Sequence, residues 1–105
     1  IFVSKTTFDF NGKTYPTHSF DTGAAWENMA LQGSLDGLVV HGMMGFSYER
    51  AEKELDIPEG YKIEAMAALG KPGNTADLPE NLQKRELPSD RRPLNELVRE
   101  GFFSF

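Results

Sequence analysis

The sequence is organised around one stretch, Gly37-Leu-Val-Val-His-Gly-Met-Met-Gly-Phe46. It begins with a β-branched apolar run that is typical of a strand, and it then breaks into a loop that contains two glycines. Ser47 follows as a suitable helix N-cap, before a segment with helical spacing that ends near Leu55. The pattern therefore predicts a strand, a glycine-containing loop and a helix, in that order.

Two interpretations of the loop are open on local pattern alone. Because glycine has no Cβ, the backbone N–H groups at Gly42 and Gly45 can come close to a flat or anionic ligand. The alternative is a tight turn in which Met43 and Met44 fill the hydrophobic core. Short motifs of this kind match by chance often, so the loop does not by itself identify a binding site.

The segments that precede this stretch predict three further elements. Residues 1–5 form a short β-rich run, and Asn11-Gly12 predicts the turn of a small hairpin. A helix is expected from Asp21, as its N-cap, to about Asp36, with Gly37 as its C-terminal stop. His18 has no carboxylate or second histidine at a useful spacing and is expected to lie on the surface of a loop.

The segments that follow predict a long strand and a short helix. Residues 61–69 alternate in a way that predicts a strand whose second half is buried on both faces. Residues 75–90 are expected to be irregular, and Pro93 is well placed to begin a helix that ends near Arg99. Arg91 and Arg92 would then lie at the helix N-terminus, where free N–H groups favour an anion such as phosphate. A solvated charged surface is the alternative for this mixed run.

Composition excludes several classes of function. The chain has no cysteine, so a disulfide framework, a Cys-ligated zinc site and a thiol nucleophile are excluded. The net charge of the chain is −5, and this excess of acidic side chains argues against nucleic acid as a partner. No apolar run approaches the roughly 20 residues of a membrane helix, so we expect a cytoplasmic protein that does not bind membranes. The sequence contains neither a nucleophile–base pair nor a metal-ligand cluster, so no catalytic side chain and no metal ligand is predicted.

Five segments resemble, in order, the C-terminal part of the nitroreductase family of flavin-dependent oxidoreductases: Asp21-Thr-Gly-Ala-Ala, Gly37–Phe46, Asp56-Ile-Pro-Glu-Gly60, Ala68-Leu-Gly-Lys-Pro-Gly73 and Arg91-Arg-Pro-Leu94. The resemblance implies an α+β, three-layer fold with a mixed or antiparallel central sheet flanked by helices. It also implies that residues 1–105 are the C-terminal portion of one such domain, without its N-terminal portion. The start at Ile1, inside an apolar run, agrees with an excised or processed piece. Because the family's other cofactor-binding elements precede this portion, the resemblance implies that the piece is inactive alone.

The resemblance further implies FMN as cofactor, NAD(P)H as electron donor and a nitroaromatic, quinone or similar small-molecule acceptor. Met43, Met44 and Gly45 would lie beside the flavin ring, with the N–H of Gly45 facing N5 and Gly42 in the same loop. Arg91 would meet the FMN phosphate, with Arg92 beside it. Many family members have an acidic, proline- or glutamine-containing loop where this chain has Gly42 and two methionines.

The family also implies a homodimer with the flavin near the subunit interface. Phe102, Phe103 and Phe105 follow Gly101, and we expect this apolar tail to run extended against a second copy. Two other functions are left open. One is a different flavin reaction on the same scaffold, such as reductive dehalogenation or flavin breakdown. The other is a non-catalytic α+β binding module.

Overall fold

The computed structural model describes residues 1–102 of the chain. They divide into two compact units: Ile1–Pro72, and a second unit that begins at Gly73. Strands and helices both occur, so the predicted α+β class is confirmed. The prediction that the whole chain is part of a single domain stays a prediction. No helix within the described residues is long and apolar enough to cross a membrane.

The first unit contains three strands and two helices, in the order β1 (Phe2–Lys5), α1 (His18–Leu35), β2 (Val39–Met43), α2 (Tyr48–Glu54) and β3 (Tyr61–Gly70). The strands form one antiparallel sheet in the order β1-β3-β2, so the longest strand lies in the middle. On one side Val3 pairs with Ile63, and on the other side Met43 pairs with Met66. Helix α1 contacts all three strands.

The α1–β2 connection forms as the sequence predicts. Gly37 has a φ of 72°, a left-handed conformation that glycine adopts without a steric penalty. Its N–H donates to the carbonyl of Ser34 at 3.1 Å, and the N–H of Leu38 donates to the carbonyl of Gly33 at 2.8 Å. This pair of bonds satisfies two carbonyls at the end of α1 and turns the chain directly into β2.

The start of α1 differs from the prediction. The helix begins at His18, three residues before Asp21, which therefore lies in the first turn and does not cap it. Thr17 occupies the N-cap position without a side-chain hydrogen bond. His18 is also not a surface loop residue, because its side chain is only 17 % exposed and bonds to Ser4 of β1. Tertiary contacts with the sheet, which local pattern does not reveal, determine where this helix begins.

The remaining predicted elements of the first unit are present. Residues 7–15 form a small hairpin with a Thr7–Thr14 bridge, and Phe8 stacks on Tyr15 at a centroid distance of 4.4 Å. Ser47 caps α2, since its Oγ accepts from the N–H of Arg50 at 3.2 Å. The strand predicted at 61–69 is β3, but its second half is not buried, and Leu69 is 55 % exposed.

Among residues 1–102 no apolar side chain is buried, and the buried polar residue is Ser4. The two-sided burial predicted for β3 is therefore wrong for the described chain. A strand is buried on both faces only when other structure covers each face of its sheet. Within the described residues, α1 is the helix that contacts all three strands of this sheet.

The second unit is short and largely irregular. It contains a 3₁₀ turn at Thr75–Asp77 and two four-residue helices, α3 (Glu80–Gln83) and α4 (Leu94–Leu97). The predicted helix from Pro93 to Arg99 is therefore present but shorter, with Pro93 just before its first residue. Phe102 is 96 % exposed, whereas Phe103 and Phe105, on which the predicted tail contact also depends, lie outside the described residues.

Candidate functional site

Part of the Gly37–Phe46 stretch belongs to a strand. β2 continues to Met43, so Gly42 and Met43 belong to the sheet, and only Met44, Gly45 and Phe46 form the loop. The loop was predicted to begin earlier because glycine is uncommon in strands. Pairing with β3 extends the strand, since Gly42 lies opposite Ala67 and Met43 opposite Met66.

Gly42 has a packing role. A Cβ built at Gly42 would lie 3.2 Å from Cζ2 of Trp26, which is tighter than an ordinary contact. The indole ring of α1 thus covers the place where β2 lacks a side chain. The same helix approaches the same strand at Gly33, where a Cβ would lie 2.7 Å from Cγ2 of Val40. The contact with Trp26 therefore explains why this residue is a glycine, and close approach of a ligand to Gly42 is not needed as an explanation.

Gly45 is in a different environment. It is exposed, its φ is not positive, and a Cβ built there meets no atom within 4 Å. Met44, the residue before it, is 78 % exposed. On the far side of the loop, Phe46 stacks on Tyr48 at 4.3 Å, and the hydroxyl of Tyr48 donates to the carbonyl of Glu64 at 3.4 Å. These contacts hold the end of the loop while its backbone at Gly45 stays accessible.

A cavity of about 560 Å³ adjoins the loop. It lies between α1 and the sheet, and its volume is within the range of small-molecule sites. Its lining is mainly apolar, with a polar edge, and consists of Phe2, Ser19, Thr22, Gly23, Trp26, Val40, Gly42, Met43, Met44, Glu64 and Ala65. We call this space the α1–sheet cavity. Three of the predicted flavin contacts, Gly42, Met43 and Met44, are part of its wall.

A polar cluster forms one end of this cavity. The Glu64 carboxylate accepts hydrogen bonds at Oε1 from Ser4 at 2.7 Å and from Ser19 at 2.6 Å. At Oε2 it pairs with the ammonium group of Lys62 at 2.9 Å, and this ammonium also donates to Ser19 at 3.2 Å. The cluster thereby joins β1, the first turn of α1 and β3.

His18 completes the cluster through Ser4. Its Nδ1 lies 2.8 Å from Oγ of Ser4 and 3.4 Å from Oε1 of Glu64. A hydroxyl group can donate only one hydrogen bond, and the hydroxyl of Ser4 donates to Glu64. The hydrogen bond between His18 and Ser4 is therefore one in which the Nδ1–H of His18 donates to the oxygen of Ser4. This arrangement is not a nucleophile–base pair, because the serine proton points to the carboxylate.

The cluster holds Glu64 in its ionised form. Burial alone would raise the pKa of this carboxyl, but the hydrogen bonds from Ser19 and Ser4 oppose burial. The hydrogen bond and the charge of Lys62 add to them, and together they lower the pKa from 4.5 to about 2. Neither Glu64 nor Trp26 could be recognised as a site residue from the sequence, because their partners are far away in the chain and no local spacing connects them.

The second unit carries the predicted phosphate contacts. Arg91 is exposed, and its Nη1 donates to the carbonyl and to the Oγ of Ser89, each at 3.2 Å. Arg92 instead pairs with Glu96 of α4 at 3.2 Å. These bonds favour Arg91 over Arg92 as an anion ligand, because Arg92 is already engaged by a carboxylate. The four-residue α4 offers little helix dipole to support either residue.

Two solved structures share this fold. One is described as an oxidoreductase containing FMN; it is 41 % identical to this chain, with a TM-score of 0.90 over 97 % of this chain and 53 % of that one. The other is a nitroreductase family protein from Clostridium difficile 630, 23 % identical, with a TM-score of 0.64 over 95 % and 56 %. No protein-family model and no curated protein matches the sequence.

The chain therefore has the α+β fold of these two solved structures, and it spans about half the length of each. The resemblance to part of the nitroreductase family, predicted from five sequence segments, is confirmed at the level of the fold.

Proposed function

We propose that this chain forms part of an FMN-dependent oxidoreductase, in which the cofactor would carry a hydride from NAD(P)H, through flavin N5, to a nitroaromatic, quinone or similar acceptor. The observation that supports it most is the 41 % identity to an FMN-containing oxidoreductase over 97 % of this chain. The side chains described here also suit a cofactor that carries the chemistry, because Ser4 and His18 form no nucleophile–base pair.

The loop residues would position the ring of the cofactor. Gly45 is the point of close approach, since its backbone is exposed and no side chain occupies the space beside it. Met43 and Met44 would contribute polarizable apolar contacts to a flat ring. Gly42 would act indirectly, because it allows Trp26 to pack against the strand that carries the loop.

Arg91 would neutralise the cofactor phosphate. Its guanidinium group is exposed and bonds only to neutral oxygens of Ser89 among the contacts of the described residues. A phosphate would therefore gain a charge-assisted bond without first displacing a carboxylate. Arg92 would contribute less, because its pairing with Glu96 would have to be broken or shared.

A glycine substitution in the loop tests the proposal. Gly45→Val adds a branched side chain where the structure has open space, so the protein should fold while the approach of the ring is blocked. Flavin absorbance of the purified protein and titration with FMN measure the result. Gly73→Val is the matched control, since Gly73 is also an exposed loop glycine without a neighbour within 4 Å of its Cβ position.

The expected outcome is loss of FMN binding or of NAD(P)H-dependent reduction in Gly45→Val, with both retained in Gly73→Val. An unmodified protein that carries no flavin and takes up none would overturn the proposed function. Flavin binding without reduction of nitroaromatics or quinones would favour a different flavin reaction, and a substrate panel that includes halogenated aromatics would identify it.

We also propose that the active form is a homodimer. The support is the resemblance to the nitroreductase family and the exposure of apolar side chains, including Phe102 at 96 %. Aromatic side chains usually bury roughly 150–250 Å² of surface each, and a ring that stays in water does not gain the stabilisation that this burial provides.

A further inference from the structure

One polar group in the wall of the α1–sheet cavity has no hydrogen-bond partner. Within residues 1–102, the indole N–H of Trp26 is buried and makes no hydrogen bond, whereas the other buried side-chain polar atoms are paired. An unpaired N–H in an apolar environment destabilises the folded state. A phenylalanine would offer a flat apolar surface without this cost. The contacts of the described residues therefore leave the N–H of Trp26 unexplained.

The position of Trp26 connects it to the loop. Its ring lines the α1–sheet cavity together with Met43 and Met44. Its Nε1 would lie 3.6 Å from a Cβ built at Gly42, so the edge of the indole lies over the strand that leads into the loop. The nitrogen is covered in the structure, but the ring borders a space of about 560 Å³. A turn of the ring towards this space would present the N–H to a bound molecule.

The lining of the cavity limits which part of FMN can meet Trp26. Phe2, Val40 and Met43 make the wall mainly apolar, which suits the flat flavin ring better than the hydroxyl-bearing ribityl chain. Glu64 at the polar edge is ionised, since its pKa is about 2, and its charge would repel the phosphate. The flavin ring carries two carbonyl oxygens, which are good acceptors for an N–H. The orphaned donor therefore fits the ring of FMN.

We propose that, when FMN binds, the indole of Trp26 turns towards the α1–sheet cavity and its N–H donates a hydrogen bond to a carbonyl oxygen of the flavin ring. The inference rests on the proposed function, because it assigns a further cofactor contact in the same site. The cofactor would supply the partner that this donor lacks among the described residues. In return, the donor would fix the orientation of the ring in the cavity.

Removal of the donor in the full protein loaded with FMN tests the contact. Trp26→Phe keeps an aromatic side chain and removes the N–H. A second variant carries 3-benzothienylalanine at position 26, in which sulfur replaces the N–H and the shape of the indole is kept. FMN labelled with carbon-13 at either ring carbonyl gives isotope-difference infrared spectra that report on that carbonyl alone. In both variants we expect one carbonyl band to move to higher wavenumber and the Kd for FMN to rise about tenfold.

Phe2→Leu is the matched control, because Phe2 lines the same cavity without a polar side-chain atom. Its carbonyl bands should match those of the unmodified protein, even where the Kd for FMN changes. The benzothienylalanine variant also has a flavin-free control. Without FMN it should be as stable as the unmodified protein, because the N–H of Trp26 has no partner among the described residues before the cofactor binds.

Carbonyl bands that stay unchanged in both position-26 variants, or that move equally in Phe2→Leu, would overturn the inference and leave the proposed function intact. A loss of stability in the flavin-free benzothienylalanine variant would also overturn it, because another part of the protein would then be the partner of the N–H. An unmodified protein that takes up no FMN would refute the proposed function itself, and this inference with it.

Discussion

Replacing Glu64 with glutamine tests how strongly the polar cluster holds α1 to the sheet. The carboxyl is only 17 % exposed, and its pKa is lowered from 4.5 to about 2 in the folded protein. One pKa unit corresponds to about 1.4 kcal/mol, so ionised Glu64 contributes on the order of 3 kcal/mol to the free energy of unfolding.

The direction of the pH dependence follows from the lowered pKa. The unfolded chain binds a proton at Glu64 more readily than the folded chain does. The contribution is therefore fully present above a pH of about 4.5, and it is lost as the pH falls towards 2. At pH 3 about 2 kcal/mol of it should already be gone.

Urea unfolding at a series of pH values between 7 and 3 measures this contribution. Other carboxyls also titrate in this range, so the informative quantity is the difference in unfolding free energy between the unmodified protein and Glu64→Gln. This difference should shrink by about 2 kcal/mol between pH 7 and pH 3, because glutamine has no charge to lose. For Glu59→Gln, an exposed control, the difference should stay nearly constant. If the curves of the unmodified protein and Glu64→Gln run parallel, Glu64 is not held ionised by Ser4, Ser19 and Lys62.

Three further predictions concern the cofactor, the helix–strand contact and the tail. Arg91→Ala should weaken FMN binding about 10- to 150-fold, whereas Arg85→Ala should change it little; equal losses in an FMN titration would indicate a diffuse basic surface. Gly33→Ala should lower the unfolding free energy by roughly 1–3 kcal/mol, since its Cβ would lie 2.7 Å from Val40 Cγ2. Gly23→Ala, with open space around it, should be neutral or stabilising, and denaturant titration measures both variants. Deletion of residues 101–105 should weaken both dimerisation and FMN binding, and a truncated protein that sediments as a dimer with full flavin content would refute the role of the tail.

The sequence by itself determined the elements whose causes are local. Gly37 ends α1 because a left-handed residue is needed there, Ser47 caps α2, and the alternation along residues 61–69 specifies β3. The α+β class followed from these elements, and the resemblance of five segments to the nitroreductase family agreed with the solved structures. Cap chemistry and side-chain period act within a few residues, so sequence alone reveals them.

Tertiary structure decided the features that depend on distant partners. Pairing with Met66 and Ala67 made Gly42 and Met43 part of β2, although glycine predicted a loop. Contact with β1 and β3 made His18 the first residue of α1 and gave Glu64 its lowered pKa. The partners of Glu64 in this cluster include Ser4 and Ser19, 60 and 45 residues away along the chain. Such contacts form only when the sheet and helix come together, and for that reason the cavity they border could not be predicted from the sequence.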